Sequence, residues 1–209
     1  MEKMNVSRGN KKLISNDETL FLIWNLPAIK TCPYATEHCK ELCYARKAEK
    51  VYPGCLPSRE KNFNESRKET FVDNMIYTIE SALKNDRKNR NIVFRIHESG
   101  DFYNREYANK WLAIMRHFEK NKKVVFIAYT KSFVYFDGEE LPKNFKLRAS
   151  IWDDTNEQQK RIVLDNSWPI YTAVNNFQTG DKFTRCRCKD CATCKKCWQN
   201  YKDIRCEIH

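Results

Sequence analysis

Apolar residues form short runs along the chain, and these runs alternate with stretches of helical periodicity. Five runs have the length and composition of strands: 20–26, 91–98, 123–130, 145–152 and 168–174. Apolar side chains recur at helical spacing from Ser58 onward, with a break near Glu69, and again in 106–120 and 156–164. Strands that alternate with helices predict βαβ units.

This alternation predicts an α/β fold with a parallel sheet of about five strands, either a curled sheet or a partial (β/α) barrel. We expect residues 1–180 to form this domain and residues 181–209 to form a cysteine-rich metal-binding segment. The polar residues 1–12 are expected to be disordered. Ligands bind beyond the carboxyl ends of parallel strands. The loops expected to converge there are 32–43, 99–101, 130–132 and 153–154.

The composition is that of a packed protein, because hydrophobic residues make up 41% of the chain and glycine and proline are scarce. No apolar run approaches the roughly eighteen residues that span a bilayer. The N-terminus lacks the apolar core of a signal peptide. We therefore expect a cytoplasmic protein with no membrane partner.

The formal net charge is +11, from 38 basic and 27 acidic residues. This balance favours an anionic partner such as nucleic acid or a nucleotide. The alternative is a solvated basic surface, because lysines and arginines are scattered over loops such as 84–90 and 120–123. Lys131 is likewise expected to be a surface residue.

The chain has ten cysteines, and in a reducing cytoplasm this number favours metal binding over disulfides. Cys32, Cys39 and Cys43 have the spacing C-x6-C-x3-C. Three ligands on one loop leave a coordination position open, as a 4Fe–4S cluster with one free iron would require. His38 and Cys55 are the candidates for a fourth ligand. A zinc site completed by Cys55, or simple packing of reduced cysteines, are the alternatives. Cys43 is expected to begin a helix.

The second strand ends in His97, Glu98 and, after the next turn, Asp101. These groups can perform acid–base catalysis or hold a substrate amine. Period-two alternation predicts that Arg95 and His97 share a face of the sheet. The alternative is that His97 is a core residue and that Asp101 caps the helix beginning near Asn104.

A second, denser cysteine group lies near the C-terminus and consists of Cys186, Cys188, Cys191, Cys194 and Cys197, with Cys206 following. The repeated C-x2-C spacing is typical of a ferredoxin loop that surrounds a cluster. Cys191, Cys194 and Cys197 are the expected core ligands. Cys186, Cys188 or Cys206 would supply the fourth, and a zinc site with four cysteines is the alternative.

Several motifs resemble the phage and plasmid family known as gene product 88. They are LPAIKTCP at 26–33, CKELCYARKA at 39–48, RIHESGDFY at 95–103 and the terminal cysteines followed by Trp198. The resemblance covers residues 20–198 and implies a phage or mobile-element protein, without an assigned activity.

A more distant resemblance is to the radical S-adenosylmethionine enzymes, which also carry three cysteines after the first strand and an aromatic residue beside the last. It implies an open 4Fe–4S cluster, an auxiliary cluster and an electron donor such as flavodoxin or ferredoxin. The cofactor-binding residues it implies are Ser99, Gly100, Asp101, Ser150 and Asp153. The family spacing is usually C-x3-C-x2-C, and its usual Gly-Gly-Glu motif is replaced here by Ser-Gly-Asp. The competing hypothesis is a nucleic-acid-binding protein that metal only stabilises.

Overall fold

The computed structural model describes residues 1–174, 183–186, 189–199 and 202–207. Its strands are β1 (Thr19–Trp24), β2 (Asn91–Ile96), β3 (Val124–Thr130), β4 (Phe145–Ser150), β5 (Ile170–Val174), β6 (Thr184–Arg185) and β7 (Ile204–Glu207). Its α-helices are α1 (Glu37–Glu41), α2 (Tyr44–Val51), α3 (Cys55–Ser66), α4 (Phe71–Asn85), α5 (Arg105–His117), α6 (Glu157–Asp165), α7 (Cys191–Cys194) and α8 (Lys196–Gln199). A short 3₁₀ helix spans Phe133–Phe136. The five predicted strands are confirmed, each within two residues at either end.

The strands form one open sheet in the order β1-β2-β3-β4-β5-β7-β6, and all neighbouring pairs are parallel. The α/β class and the parallel sheet are confirmed. The expected number of strands was too low and no barrel closes, because β7 pairs with β5 and is followed by β6. The C-terminal segment therefore extends the sheet.

Each face of the sheet is covered by a different part of the chain. Every residue of β1 is buried, as a strand between two layers requires. Leu22 and Trp24 face the main core, where α4 and α5 pack. Phe21 and Ile23 face a smaller core that includes Ala192 of the cysteine-rich segment. The second cysteine group thus lies on the opposite face from the large helices.

The N-terminal residues are ordered, which corrects the expectation of disorder over residues 1–12. Met4 is buried in the main core, and its backbone N–H donates to Thr78 Oγ1 at 2.8 Å. Ser7 pairs with Ile23 on the outer edge of β1 through two backbone hydrogen bonds of 2.8 and 2.9 Å. Burial of one apolar side chain and pairing with an exposed strand edge hold this segment.

The helices begin and end where local side chains satisfy the backbone. The predicted break near Glu69 is confirmed, since α3 ends at Ser66 and α4 begins at Phe71. Asn104 caps α5 by accepting a hydrogen bond from Tyr107 N at 2.8 Å. Within the described ranges, no helix has both the length and the apolar character needed to cross a bilayer.

Candidate functional site

The loops after β1, β2, β3 and β4 meet at one edge of the sheet, and we call this edge the mouth. Asp101 N donates to Thr31 O at 3.1 Å and joins the second loop to the first. The Asp101 carboxylate accepts from Thr130 Oγ1 at 2.6 Å and joins it to the third. His38 N donates to Asp154 Oδ2 at 3.0 Å and joins the first to the fourth. The predicted convergence of these loops is confirmed.

The first cysteine group occupies an irregular loop, and each of its members has a different backbone setting. Cys32 lies in a turn, where its N–H donates to Ile29 O at 3.0 Å. Cys39 is in α1, and its N–H donates to the capping hydroxyl of Thr36 at 3.3 Å. Cys43 is the N-cap residue of α2, as predicted. Such a loop can spread three thiolates around a cluster several ångströms wide.

The three thiols are free, half-buried and share one electrostatic environment. Burial raises the pKa of Cys32, and the Asp101 carboxylate, Cys39 and Cys43 raise it further. Burial also raises the pKa of Cys39, while Lys131 opposes that shift. Metal binding must displace these protons, so the affinity of the site for metal rises with pH.

Lys131 is buried in the mouth, with 7% of its surface exposed, and the expected surface role was wrong. Its Nζ donates to Ser150 O at 3.3 Å and lies 4.9 Å from the centre of the Trp152 ring. Burial lowers the pKa of this amine to about 8, although Cys39 and Asp101 favour its charged form. A buried cation beside the thiols is therefore available to an anionic group.

The Asp101 carboxylate is buried and holds the loop that follows β3. Its Oδ1 accepts from Thr130 Oγ1 at 2.6 Å and from Phe102 N at 2.8 Å. Its Oδ2 accepts from Lys131 N at 2.9 Å and from Ser132 N at 3.2 Å. Burial raises the pKa of Asp101, and these donors oppose the shift. A carboxylate can accept about four hydrogen bonds, so these four protein donors fill the accepting sites of Asp101. Asp101 does not cap α5, contrary to the alternative considered from the sequence.

Ser99 and Gly100 form the turn that places Asp101. Ser99 Oγ donates to Leu26 O at 2.9 Å. Gly100 has a φ of +80°, and a Cβ there would lie 2.6 Å from both Leu26 Cβ and Thr31 Oγ1. Only glycine combines this backbone conformation with so close an approach. This turn therefore fixes the register between the first two loops.

His97 is a buried residue of the main core. Its φ is +64°, and its Nε2 is hydrogen-bonded to Tyr107 Oη at 2.9 Å. Burial lowers the pKa of this imidazole to about 3, and Arg95 contributes in the same direction. The prediction that Arg95 and His97 share a face of the sheet was wrong. The strand ends before His97, and the Arg95 guanidinium lies 3.9 Å from the centre of the Tyr129 ring, on the face opposite the main core. This geometry favours a structural role for His97 over acid–base catalysis.

The remaining predicted residues occupy different parts of the mouth. Glu98 Oε1 accepts from Asn10 Nδ2 at 2.7 Å, so this carboxylate is bound to the N-terminal segment. Ser150 contributes its carbonyl oxygen to the buried lysine. Asp153 is exposed, and its Oδ1 lies 2.8 Å from His38 Nδ1. Cys55, which with His38 is a candidate for the fourth ligand, begins α3 and is half-buried.

The structure brings one set of possible metal-ligand atoms close together, and it contains no cysteine of the described residues. In the described part of the chain, one group of three possible ligand atoms lies within 4.8 Å, and it consists of the exposed His38, Asp153 and Asp154. Among the described cysteines, no three sulfur atoms lie this close to one another. A tetrahedral zinc with bonds of about 2.3 Å brings its sulfur ligands to roughly 3.8 Å from one another. The described cysteine sulfurs are thus farther apart than the ligands of a closed zinc site.

The second cysteine group is fastened to the sheet by Arg148 of β4, which is 2% exposed. The guanidinium donates to the carbonyl oxygens of Cys197 at 2.8 Å, Lys202 at 2.8 Å and Lys196 at 3.2 Å. The Trp198 ring packs edge-on against Phe21 at 5.6 Å between ring centres. A buried cation and an aromatic contact thus dock this segment.

Four thiols of this segment influence one another. Burial raises the pKa of Cys191 to about 12, and Cys197, Cys186 and Cys194 raise it further, while Arg95 opposes them. Burial also raises the pKa of Cys197. These four cysteines therefore form one electrostatic group, which lies close to the Arg95 guanidinium of β2.

Cys206 has a different environment from that group. Its Sγ accepts a hydrogen bond from Tyr171 Oη at 2.7 Å, between β7 and β5. Burial raises the pKa of Cys206, and Cys186 contributes to the shift. Cys188, the other candidate ligand, lies outside the described residues. Of the two candidates that the structure describes, these contacts favour Cys186 over Cys206 as the fourth ligand.

Comparison with known proteins places the chain in a family. The family model described as gene product 88 matches residues 4–200. The chain belongs to the gene product 88 family. The match includes the mouth and every cysteine except Cys206.

Two curated gene product 88 relatives are the Gene 88 proteins of Mycobacterium phages L5 and D29. The first is 31% identical over 157 residues, which cover 72% of this chain and 64% of that protein. The second is 32% identical over 157 residues, covering 72% of this chain and 63% of that protein. The chain thus spans less than two thirds of the length of these relatives. Their names state no activity, and no solved structure matches significantly.

Proposed function

We propose that this chain is an iron–sulfur protein whose mouth binds a 4Fe–4S cluster through Cys32, Cys39 and Cys43, with one iron open to a small ligand. The observation that carries this proposal is the grouping of three half-buried thiols beside a buried lysine at the mouth. Parallel sheets bind ligands at this edge. A set of three thiolates leaves one position open, as a 4Fe–4S cluster with a free iron requires and a closed four-ligand zinc site does not.

The ligand class that fits best is a sulfonium compound with an amino-acid moiety, such as S-adenosylmethionine. When bound, the cluster would supply the electron that cleaves the carbon–sulfur bond, and a flavodoxin or ferredoxin would replace that electron. Lys131 would bind the ligand carboxylate, because it is the buried cation of the mouth. The Asp101 carboxylate would position Lys131 by accepting a hydrogen bond from the Lys131 backbone N–H, and it would not bind the ligand amine itself.

The C-terminal group would hold a second, fully ligated cluster through Cys186, Cys191, Cys194 and Cys197. Its role would be to stabilise the segment that Arg148 docks on the sheet. Zinc remains the alternative for this group, because zinc also accepts four thiolates.

The test is reconstitution without oxygen, followed by reduction in the presence of S-adenosylmethionine. We expect the wild type to form methionine and 5′-deoxyadenosine. We expect Cys39→Ser to form neither product and to contain about four irons fewer than the wild type. Cys55→Ser is the matched control, because Cys55 is equally half-buried but begins α3. Full iron content without cofactor binding or cleavage would contradict the enzymatic part of the proposal. Zinc without inorganic sulfide would contradict the whole proposal.

A further inference from the structure

Exposed apolar side chains are concentrated in one short part of the chain. The described residues include eight large hydrophobic side chains that are exposed, and five of them lie between residues 42 and 56. These five are Leu42, Tyr44, Val51, Tyr52 and Leu56. We call residues 42–56 the α2 surface. Clustered exposed apolar groups indicate an interaction site, whereas isolated ones are ordinary.

The α2 surface also carries two exposed lysines. Lys47 and Lys50 form no ion pair with any described residue, whereas Lys40 pairs with Glu37. The helical period places both lysines on the side of α2 opposite the buried Ala45, and it places Lys47 next to Tyr44, which lies one turn before it. Positive charge and apolar surface therefore occur side by side.

The two tyrosines present aromatic rings to solvent. Tyr52 is 62% exposed, and Tyr44 is 55% exposed. The Tyr44 hydroxyl donates to Glu98 O, so its ring is anchored at one end. An anchored aromatic ring loses little conformational entropy when a partner stacks on it. Arg46 of α2 is exposed as well and lines a surface depression with Glu37, so it adds to the positive charge beside the two lysines.

We propose that the α2 surface binds single-stranded nucleic acid, with Lys47 and Lys50 contacting phosphates and Tyr44 and Tyr52 stacking on bases. Proteins that bind single strands combine backbone-tracking cations with aromatic platforms in this way. A duplex hides its base faces, so the tyrosines would add nothing to duplex binding. The net charge of +11 attracts such a strand over a longer range. This inference is independent of the iron–sulfur proposal.

The test is fluorescence anisotropy of labelled oligo-dT and oligo-U of about 15 nucleotides, a length that spans a typical single-strand site. We expect Lys47→Glu/Lys50→Glu to weaken binding at least about tenfold and to reduce its salt dependence. Tyr52→Ala should weaken binding about 5- to 100-fold, as loss of one stacked base does. The matched control is Lys120→Glu/Lys122→Glu, which makes the same charge change on exposed residues before β3.

All the substituted side chains are exposed, so unchanged thermal unfolding will show that the variants fold. Equal weakening by the control pair would overturn the proposal and assign binding to overall charge. No binding of the wild-type protein at low salt would also overturn it. Binding to vesicles of phosphatidylcholine and phosphatidylglycerol, lost in Val51→Ala, with no oligonucleotide binding, would assign the surface to a membrane instead.

Discussion

Acidification should destabilise the protein through His97, because this imidazole is neutral and buried in the folded state. Its Nε2 is hydrogen-bonded to Tyr107 Oη, and its buried Nδ1 has no hydrogen-bond partner among the described residues. Burial lowers its pKa to about 3, whereas an unfolded histidine titrates near about 6.5. Between these values the unfolded chain binds the extra proton, so the free energy of unfolding falls as the pH falls. Integration gives a loss of about 2.5 kcal/mol from pH 6 to pH 4.

The assay is urea unfolding followed by tryptophan fluorescence at several pH values, for the wild type and His97→Gln. Glutamine keeps a polar partner for Tyr107 but does not titrate. The difference between the two curves removes the contribution of Asp101, whose raised pKa acts in the opposite direction. We expect the difference to approach a slope of about 1.4 kcal/mol per pH unit. Parallel curves, or a His97 ring signal in NMR that titrates near pH 6.5, would refute this reasoning.

Three further variants test the packing of the mouth and of the second face. Arg148→Met removes a buried cation and the three hydrogen bonds that it donates. The free energy of unfolding measured by urea titration should fall by about 3 kcal/mol or more. An unchanged free energy of unfolding would contradict the docking of the C-terminal segment by Arg148. Gly100→Ala places a Cβ at a positive φ, which strains the backbone, and also in contact with neighbouring atoms. Gly138 has a φ of +77° and no atom within 4 Å of a built Cβ, so Gly138→Ala strains the backbone without a clash. Gly100→Ala should lower the free energy of unfolding by about 1–3 kcal/mol more than Gly138→Ala in the same assay. Equal losses of stability would exclude the close approach at Gly100. Lys131→Met should keep the iron content but weaken S-adenosylmethionine binding about tenfold or more in calorimetry, and unchanged affinity would remove Lys131 from the ligand site.

The strands of the central sheet were predictable because both faces of a parallel sheet are buried. This burial makes runs such as LFLIWNL continuous and apolar, and turns end them sharply. Strands β6 and β7 contain two and four residues and have no such pattern. β7 pairs with β5 and β6 pairs with β7, and a partner distant in sequence leaves no local signal.

The candidate site was only partly predictable for the same reason. The positions of the cysteines and their place after strand ends follow from local sequence. Lysine usually lies at the surface, so the sequence alone predicts an exposed Lys131. Its burial depends on Asp101 and Trp152, which belong to other loops. Arg148 alternates with apolar residues in β4 as a solvent-facing residue would. Its burial depends on the segment around Cys197, which covers that face.

The iron and acid-labile sulfide content of protein purified without oxygen, measured with Mössbauer spectra, tests the iron–sulfur assignment most directly. We expect about eight irons and eight sulfides in the wild type, and about four of each in Cys32→Ser/Cys39→Ser/Cys43→Ser. Zinc in place of iron, or an iron content that the triple substitution leaves unchanged, would contradict the assignment of an open cluster to the mouth.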